Sequence, residues 1–129
     1  MKGYKDNIEK ATVENTNFRK VLYTGKHSQL VLMTLKPGEE IGAEVHPEID
    51  QFFRFEEGKG QLVIDDNTYD VAADDAAIVP AGAEHNVINT GETELKLYTI
   101  YSPPEHQDGT LHPTKADIAE EHFDGVTTE

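Results

Sequence analysis

The segment DDAAIVPAGAEHNVIN, residues 74–89, gives the clearest indication of the fold. Its apolar run Ala76–Val79 leads into the turn sequence Pro80-Ala81-Gly82, and a second run begins at His85. Proline and glycine so close together favour a tight turn between two extended segments. Because alternate side chains of a strand point to the same face, His85 shares its face with Val87. The segment therefore predicts two short strands, the second with a polar group at the end of an apolar face.

The pattern outside this segment indicates an all-β protein. Runs rich in Val, Leu, Tyr and Phe alternate with Gly, Pro, Asp and Asn, and no segment before Lys115 carries a helical stripe of apolar residues. Many short strands at even spacing favour a sandwich or a barrel. The predicted strands are Phe18–Tyr23, Gln29–Leu35, Gln51–Phe55, Leu62–Ile64, Tyr69–Val71, Ala76–Val79, His85–Asn89 and Leu95–Tyr101.

The chain length fits one domain, since 129 residues can bury a single core. We place the barrel at about residues 17–101, after an N-terminal arm, residues 1–16, that shows no clear period. Residues 102–129 form a polar and acidic C-terminal segment, expected to pack over the barrel largely as a solvated tail rather than as a recognition arm. Within it Thr114–Phe123 is a candidate short helix, because Thr114 and Asp117 resemble a capping box.

Composition and charge exclude several classes of partner. With 25 acidic and 11 basic side chains the formal charge is −14, so a phosphate backbone is repelled. The absence of cysteine excludes disulfides and thiolate metal sites. No apolar run approaches the roughly 18 residues of a membrane span, and no apolar signal-peptide core begins the chain. We expect a cytoplasmic protein with a small-molecule ligand, no nucleic-acid partner and no membrane partner.

Four side chains are candidate metal ligands: His46, Glu48, Gln51 and His85. His46 and Glu48 share a face if the chain between them is extended, and Gln51 joins them only if a turn or bulge intervenes. Two imidazoles, one carboxylate and one amide oxygen suit one divalent ion of manganese, iron, zinc or nickel. The alternatives stay open: hydrogen-bonded histidines at a rim, a core amide, and a Glu48 that orients a ligand or is simply solvated.

Three aromatic side chains are candidates for a substrate pocket. Phe53 and Phe55 share the face of Gln51, and Tyr98 lies on the last predicted strand. Core packing explains the same residues, although the upper members of a barrel line its mouth as well. The histidines of the C-terminal segment are expected to be solvated, with His106 or His112 folding back to the mouth as the alternative.

Two stretches resemble the two motifs of the cupin family. Residues 74–89 contain its Pro-x-Gly-x-x-His-x-x-x-Asn pattern as Pro80, Gly82, His85 and Asn89, with Asp74 in place of the leading glycine. The stretch GAEVHPEIDQFFRFEEGKG, residues 42–60, resembles the first motif. There His46 matches the first histidine, Glu48 stands where the second is expected, and Gln51 falls at the glutamate position.

The resemblance covers about residues 29–101 and implies a double-stranded β-helix, or jelly roll, with a metal near its mouth. Small single-domain bacterial cupins of this kind are often named mannose-6-phosphate isomerase-like. We therefore expect a metal-dependent isomerase or lyase acting on a sugar or keto acid, with an unliganded Glu48 as candidate catalytic base. A non-haem dioxygenase and a non-catalytic ligand-binding protein are the alternatives. A homodimer is expected through open strand edges in Phe18–Leu35.

Overall fold

The computed structural model describes residues 1–119 and 121–129. Within them lie one α-helix, ten strands and one 3-10 helix. The elements are α1 (Ile8–Glu14), β1 (Arg19–Thr24), β2 (Gln29–Leu35), β3 (Glu44–Val45), β4 (Asp50–Glu57), β5 (Lys59–Ile64), β6 (Asn67–Ala72), β7 (Ala76–Val79), β8 (Glu84–Ile88), β9 (Leu95–Ser102), β10 (Leu111–His112) and the 3-10 helix Lys115–Asp117. In this part of the chain no helix has the length and apolar character needed to span a bilayer.

The strands form two antiparallel sheets that face each other across one core. The six-stranded sheet has the order β10-β1-β2-β9-β4-β7, and the four-stranded sheet has the order β3-β8-β5-β6. Alternation along β4 and β9 turns every second side chain inward, as the two-residue period of a strand requires. The predicted all-β jelly roll is confirmed. Its fully buried side chains include Val31, Met33, Leu35, Phe53, Phe55, Leu62, Val87, Leu95 and Leu97.

Most predicted strands lie where the sequence indicated, and β2 and β7 have the predicted bounds. The hairpin of β5 and β6 is confirmed by the pairing of Ile64 with Asn67. Before it, the chain leaves the larger sheet after β4 and enters the smaller sheet at β5. Gly58 makes this crossing with φ +90°, and a Cβ there would lie 2.4 Å from the Glu94 carbonyl oxygen. A side chain at Gly58 would therefore disturb both backbones.

The N-terminal arm contains a helix that the sequence pattern did not predict. The Asn7 side chain accepts a hydrogen bond from the Lys10 N–H and caps α1, whose only fully buried member among the described residues is Thr12. At seven residues, α1 is too short to show a helical period. Packing against the barrel stabilises it instead, since an isolated helix of this length is marginal in water.

The C-terminal segment is part of the folded structure rather than a solvated tail. Strand β10 pairs with Arg19 and Lys20 of β1, and Thr128 exchanges hydrogen bonds with Thr24 at the other end of that strand. The outer edge of β1, expected to be open for a dimer, is thus covered within the chain. The predicted helix Thr114–Phe123 is wrong for its described part, which has only the 3-10 helix; Glu120 lies outside the described residues.

Asn89 fastens the loops at the end of β8 to the barrel. Its buried amide donates to the carbonyls of Leu35 and Thr93, and its oxygen accepts from the Gly91 N–H. We expect Asn89→Ala to lower the free energy of unfolding by about 2–4 kcal/mol, because buried backbone groups lose their partners. Urea denaturation measures this. The control Asn67→Ala removes an exposed bond to the Ile64 carbonyl, and an equal loss in both variants would contradict the argument.

Candidate metal centre

Glu44, His46 and His85 converge at one end of the barrel. Glu44 on β3 is the direct cross-strand partner of His85 on β8, so their side chains lie side by side on one face. His46 follows Glu44 by two residues and turns to the same face. One ligand atom from each of the three lies within 4.8 Å of the others. The strand pairing thus assembles two imidazoles and one carboxylate around a common point.

The contact between Glu44 and His46 brings two potential ligand atoms together without a well-formed hydrogen bond. Glu44 Oε2 lies 3.1 Å from His46 Nε2, yet Nε2 has no hydrogen-bond partner of acceptable geometry among the described residues. An ion about 2.1 Å from each ligand atom would hold the atoms within roughly 4.2 Å of one another. The cluster therefore needs only small side-chain adjustments to coordinate. Two histidines and one carboxylate are a donor set that iron, manganese, nickel and zinc accept.

A backbone contact orients His85. Its Nδ1 lies 3.2 Å from the Ala83 carbonyl oxygen, which can only accept a hydrogen bond. Nδ1 therefore carries the proton and leaves the lone pair of Nε2 available to a metal. Burial lowers the pKa of His85, and the neighbouring His46 acts in the same direction. The imidazole is thus held in the neutral form that binds metals.

Glu105 lies on the other side of His46. Its Oε2 is 3.6 Å from His46 Nδ1, and its Oε1 is 3.0 Å from Nδ1 of His122. The contact with Glu44 raises the pKa of His46 despite its burial, and the charge of Glu105 adds to the effect. Burial opposes ionisation of Glu44, but His46 and other nearby positive charges outweigh it and lower the pKa of that carboxyl. The His46 ring is thus flanked by a carboxylate at each nitrogen.

Gln51 points into the interior of the barrel. It is buried on β4 in the same inward row as Phe53 and Phe55, and the Phe53 ring centre is 6.3 Å from that of His85. Its Nε2 donates to Thr99 Oγ1 at 3.0 Å, while its Oε1 has no hydrogen-bond partner in the described part of the chain. A buried carbonyl oxygen without a partner is costly unless something else satisfies it. Gln51 therefore stays a candidate fourth ligand.

Glu48 and Tyr98 do not join the cluster. Strand β3 ends at Val45 and residues 47–48 form a turn, so the extended geometry that would bring Glu48 beside His46 is absent from this stretch. Glu48 is exposed and lines a neighbouring depression. Tyr98 lies on the outer face of β9, where its ring packs against Phe52 at 6.2 Å. The parity argument was sound but applies to residues 44 and 46 instead of 46 and 48.

A cavity of about 350 Å³ is lined by Glu44 and His46 of the cluster, and its size suits a small molecule. The barrel contributes β1 and β3, and the C-terminal segment forms the opposite wall. Its lining residues are Arg19, Glu44, Val45, His46, Glu105, His106, Ile118, Ala119, Glu121 and His122. The sequence reasoning missed Glu44, which its own two-residue rule could have found. Nothing local in the sequence places Glu105 or His122 here, because a chain reversal brings them back.

His106 confirms the alternative that a C-terminal histidine returns to the mouth. Its ring meets that of Tyr101 edge to face at 5.1 Å, and its Nε2 is 3.3 Å from the Tyr101 hydroxyl. Burial lowers the pKa of His106 to about 3, so the ring is neutral at physiological pH. Burial also raises the pKa of Tyr101. His106 therefore adds a neutral polar side chain to this wall of the cavity, beside the carboxylate of Glu105. His112 is buried elsewhere, beside Arg19.

Glu44→Gln and Glu48→Gln form a matched pair that tests the cluster. Both remove one carboxylate from the same segment. Loss of Glu44 is expected to weaken divalent metal binding at least ~10-fold, the scale seen when even an indirect partner of a ligand is removed. Loss of the exposed Glu48 should leave the affinity unchanged. Calorimetric titration with manganese and zinc measures both, and a larger loss in Glu48→Gln would contradict the assignment.

Comparison with known proteins places this geometry in a family. The cupin domain matches residues 31–101. The uncharacterized Bacillus subtilis protein YrkC is 53% identical over 120 residues, covering 86% of this chain and 63% of YrkC, so this chain spans less than two thirds of that relative. An uncharacterized protein of Acanthamoeba polyphaga mimivirus is 44% identical over 112 residues. The match covers 84% of this chain and 70% of the mimivirus protein.

A solved structure is also similar to this chain in sequence and in fold. The crystal structure of a Bacillus halodurans protein superposes on this structure with a TM-score of 0.88 at 46% sequence identity. The match covers 90% of this chain and 92% of the Bacillus halodurans chain. The match of the cupin domain includes all of β4 to β8 and both histidines of the cluster. The chain belongs to the cupin family.

Proposed function

We propose that this protein is a metal-dependent enzyme that binds one divalent ion through Glu44, His46 and His85 and acts on a small, oxygen-rich molecule. Gln51 is the candidate fourth ligand. The observation that carries the proposal is the 3.1 Å approach of Glu44 Oε2 to His46 Nε2 without hydrogen-bond geometry, at the floor of a cavity. A ligand between the two groups would satisfy the buried His46 Nε2, which otherwise lacks a partner among the described residues.

The reaction class that we propose is isomerisation or elimination on a sugar or keto acid. A bound divalent ion supplies Lewis acidity toward a carbonyl or hydroxyl oxygen. Glu105 is better placed than Glu48 to serve as the general base, because it lines the cavity and its side chain is only 16% exposed. His122 contacts Glu105 and is exposed, which gives the carboxylate a route for exchanging protons with solvent.

Iron-dependent dioxygen chemistry is the second candidate. The observation that favours it is the donor set itself, because two histidines and one carboxylate form the set that non-haem iron oxygenases use. The third candidate is a ligand-binding protein without catalysis. The half-buried Glu105 in the cavity wall disfavours it, because binding alone does not require a general base beside a metal site. Metal identity separates the first two candidates.

Elemental analysis of the protein purified without an affinity tag or chelator is the first experiment. We expect close to one equivalent of a transition metal per chain. Iron would direct the work to oxygen consumption, and manganese, zinc or nickel to sugar and keto-acid isomerisation. A protein that contains no metal and takes up none when manganese, iron, zinc and nickel are added would refute the proposal.

His85→Ala tests the site against a matched histidine. Removing one of three ligands is expected to abolish most metal binding while the barrel stays folded, because His85 lies near the start of β8 and is not part of the apolar core. His27→Ala is the control, since His27 is exposed in the β1–β2 loop. Metal content and circular dichroism are measured on both variants. Full metal retention in folded His85→Ala would contradict the proposed metal site.

Gln51→Glu tests the fourth ligand. A carboxylate in place of the unpaired amide oxygen is expected to tighten divalent metal binding, because an anionic oxygen is the stronger ligand. The same change should lower the melting temperature of the metal-free protein, since Gln51 is buried and the new carboxylate would be a buried charge. Calorimetry and thermal denaturation with and without metal measure the two effects. Unchanged affinity would show that Gln51 does not contact the ion.

The homodimer and the cytoplasmic location expected from the sequence stay predictions. The edge of β1 is covered by β10, so we propose that a dimer uses another edge strand, β6 or β7. The exposed apolar side chains Tyr69 and Ile78 lie on those two strands.

A further inference from the structure

Arg19 is a buried cation in the wall of the cavity. It lies on β1 in the inward row with Val21, its exposed fraction is 4%, and it lines the same cavity as Glu44 and His46. Arginine is rarely buried without a charged partner, because its guanidinium cannot lose its proton. The positive charge of Arg19 is therefore a fixed property of the cavity.

Among the described residues no carboxylate contacts the charge of Arg19 directly, although Glu44, Glu105 and Glu121 line the same cavity. Its Nη1 lies 3.4 Å from His112 Nδ1, a long hydrogen bond in which the imidazole accepts and is therefore neutral. Its Nε is buried without a hydrogen-bond partner among the residues described. Its guanidinium carbon lies 5.4 Å from the Phe18 ring centre, which offers cation–π attraction but no anion. Within residues 1–119 and 121–129 no carboxylate forms an ion pair with it.

We propose that Arg19 binds the carboxylate of a small hydroxy or keto acid, whose other oxygen faces the cluster of Glu44, His46 and His85. The inference rests on the proposed function and narrows it from oxygen-rich molecules to carboxylates. It explains why a strand residue of a strongly acidic protein is a buried arginine with an unused donor. The cavity of about 350 Å³ suits a molecule of this size.

The chemistry of the guanidinium supports a carboxylate in particular. Its planar fork of N–H donors matches the two oxygens of a carboxylate, and hydrogen bonds between charged groups are about twice as strong as neutral ones. Burial strengthens the attraction because few water molecules screen it. Arg19 lines the same cavity as Glu44 and His46, so a carboxylate bound at Arg19 can turn another oxygen toward the cluster. A carboxylate and an ion would thus each meet a complementary charge.

The competing explanation is that Arg19 only supports the fold through Phe18 and His112. In that case its loss would lower stability and leave ligand binding unaffected by charge. Calorimetric titration of the metal-loaded and the metal-free protein with lactate and pyruvate distinguishes the two, with lactamide as the neutral analogue of lactate. The variants are Arg19→Gln, Arg19→Lys and the control Arg54→Gln. Arg54 pairs with Glu56 and Asp74, outside the cavity lining.

We expect wild-type protein to prefer lactate or pyruvate over lactamide by at least ~10-fold, and Arg19→Gln to lose that preference. Arg19→Lys should keep part of it, because the charge stays while the fork is lost. Arg54→Gln should behave as wild type. Absence of carboxylate binding at millimolar concentration, equal binding of lactamide, or an unchanged preference in Arg19→Gln would each overturn the proposal. If Arg19→Gln does not fold, two results still test the proposal: the preference of wild-type protein for the acids over lactamide, and the partial retention of that preference in Arg19→Lys.

The two proposals fail in different ways. Metal affinity of Arg19→Gln should be no lower than that of wild type, because a nearby positive charge has been removed. If wild type binds no metal, the proposed function fails, and the metal-free titration still decides whether Arg19 selects carboxylates. If wild type binds metal but no carboxylate, only the inference about Arg19 fails.

Discussion

The antiparallel pairing of β3 with β8 is the constraint on which the site depends. Strand β3 has only two residues, and its register sets Glu44 opposite His85. A shift of one residue would turn Glu44 away from the cavity, because side chains alternate between faces. Hydrogen bonds on either side hold the register: the Gly42 N–H donates to the Asn86 side chain, and the Gly82 N–H donates to the His46 carbonyl. The placement of Glu44 beside His85 thus follows from the backbone pairing of β3 with β8.

The second constraint comes from residues outside the barrel. The C-terminal segment passes the cavity, pairs with the edge of β1 through β10, and then runs back past the cavity. Glu105, His106 and His122 consequently line the cavity together with Glu44 and His46. Hydrogen bonds between Gln107 and Glu121 and between Phe123 and Glu105 keep the two passes of the segment together. One wall of the cavity is therefore a loop fixed by backbone hydrogen bonds, whereas the floor is part of the sheets.

The fold was largely predictable from the sequence, and the site only in part. Strands such as β2 and β7 follow from local apolar runs and turn residues, which act within a few positions. His46 and His85 were identified because they stand in recognisable motifs. Glu44 was missed because the parity rule was applied from His46 forward across Pro47 to Glu48, whereas β3 lies on the N-terminal side of His46. Glu105 and His122 depend on a chain reversal that no local signal encodes, and α1 is too short to show a period.

The cupin match ends at residue 101 and begins at residue 31, so it contains Glu44, His46, His85 and Gln51. Arg19, Glu105, His106 and His122 all lie outside it. The family match therefore covers the candidate ligands of an ion, whereas the flanking segments contribute Arg19, Glu105, His106 and His122 to the wall of the cavity. Changes confined to the two ends of such a chain can therefore alter the wall of the cavity while the barrel and its candidate ligands stay the same.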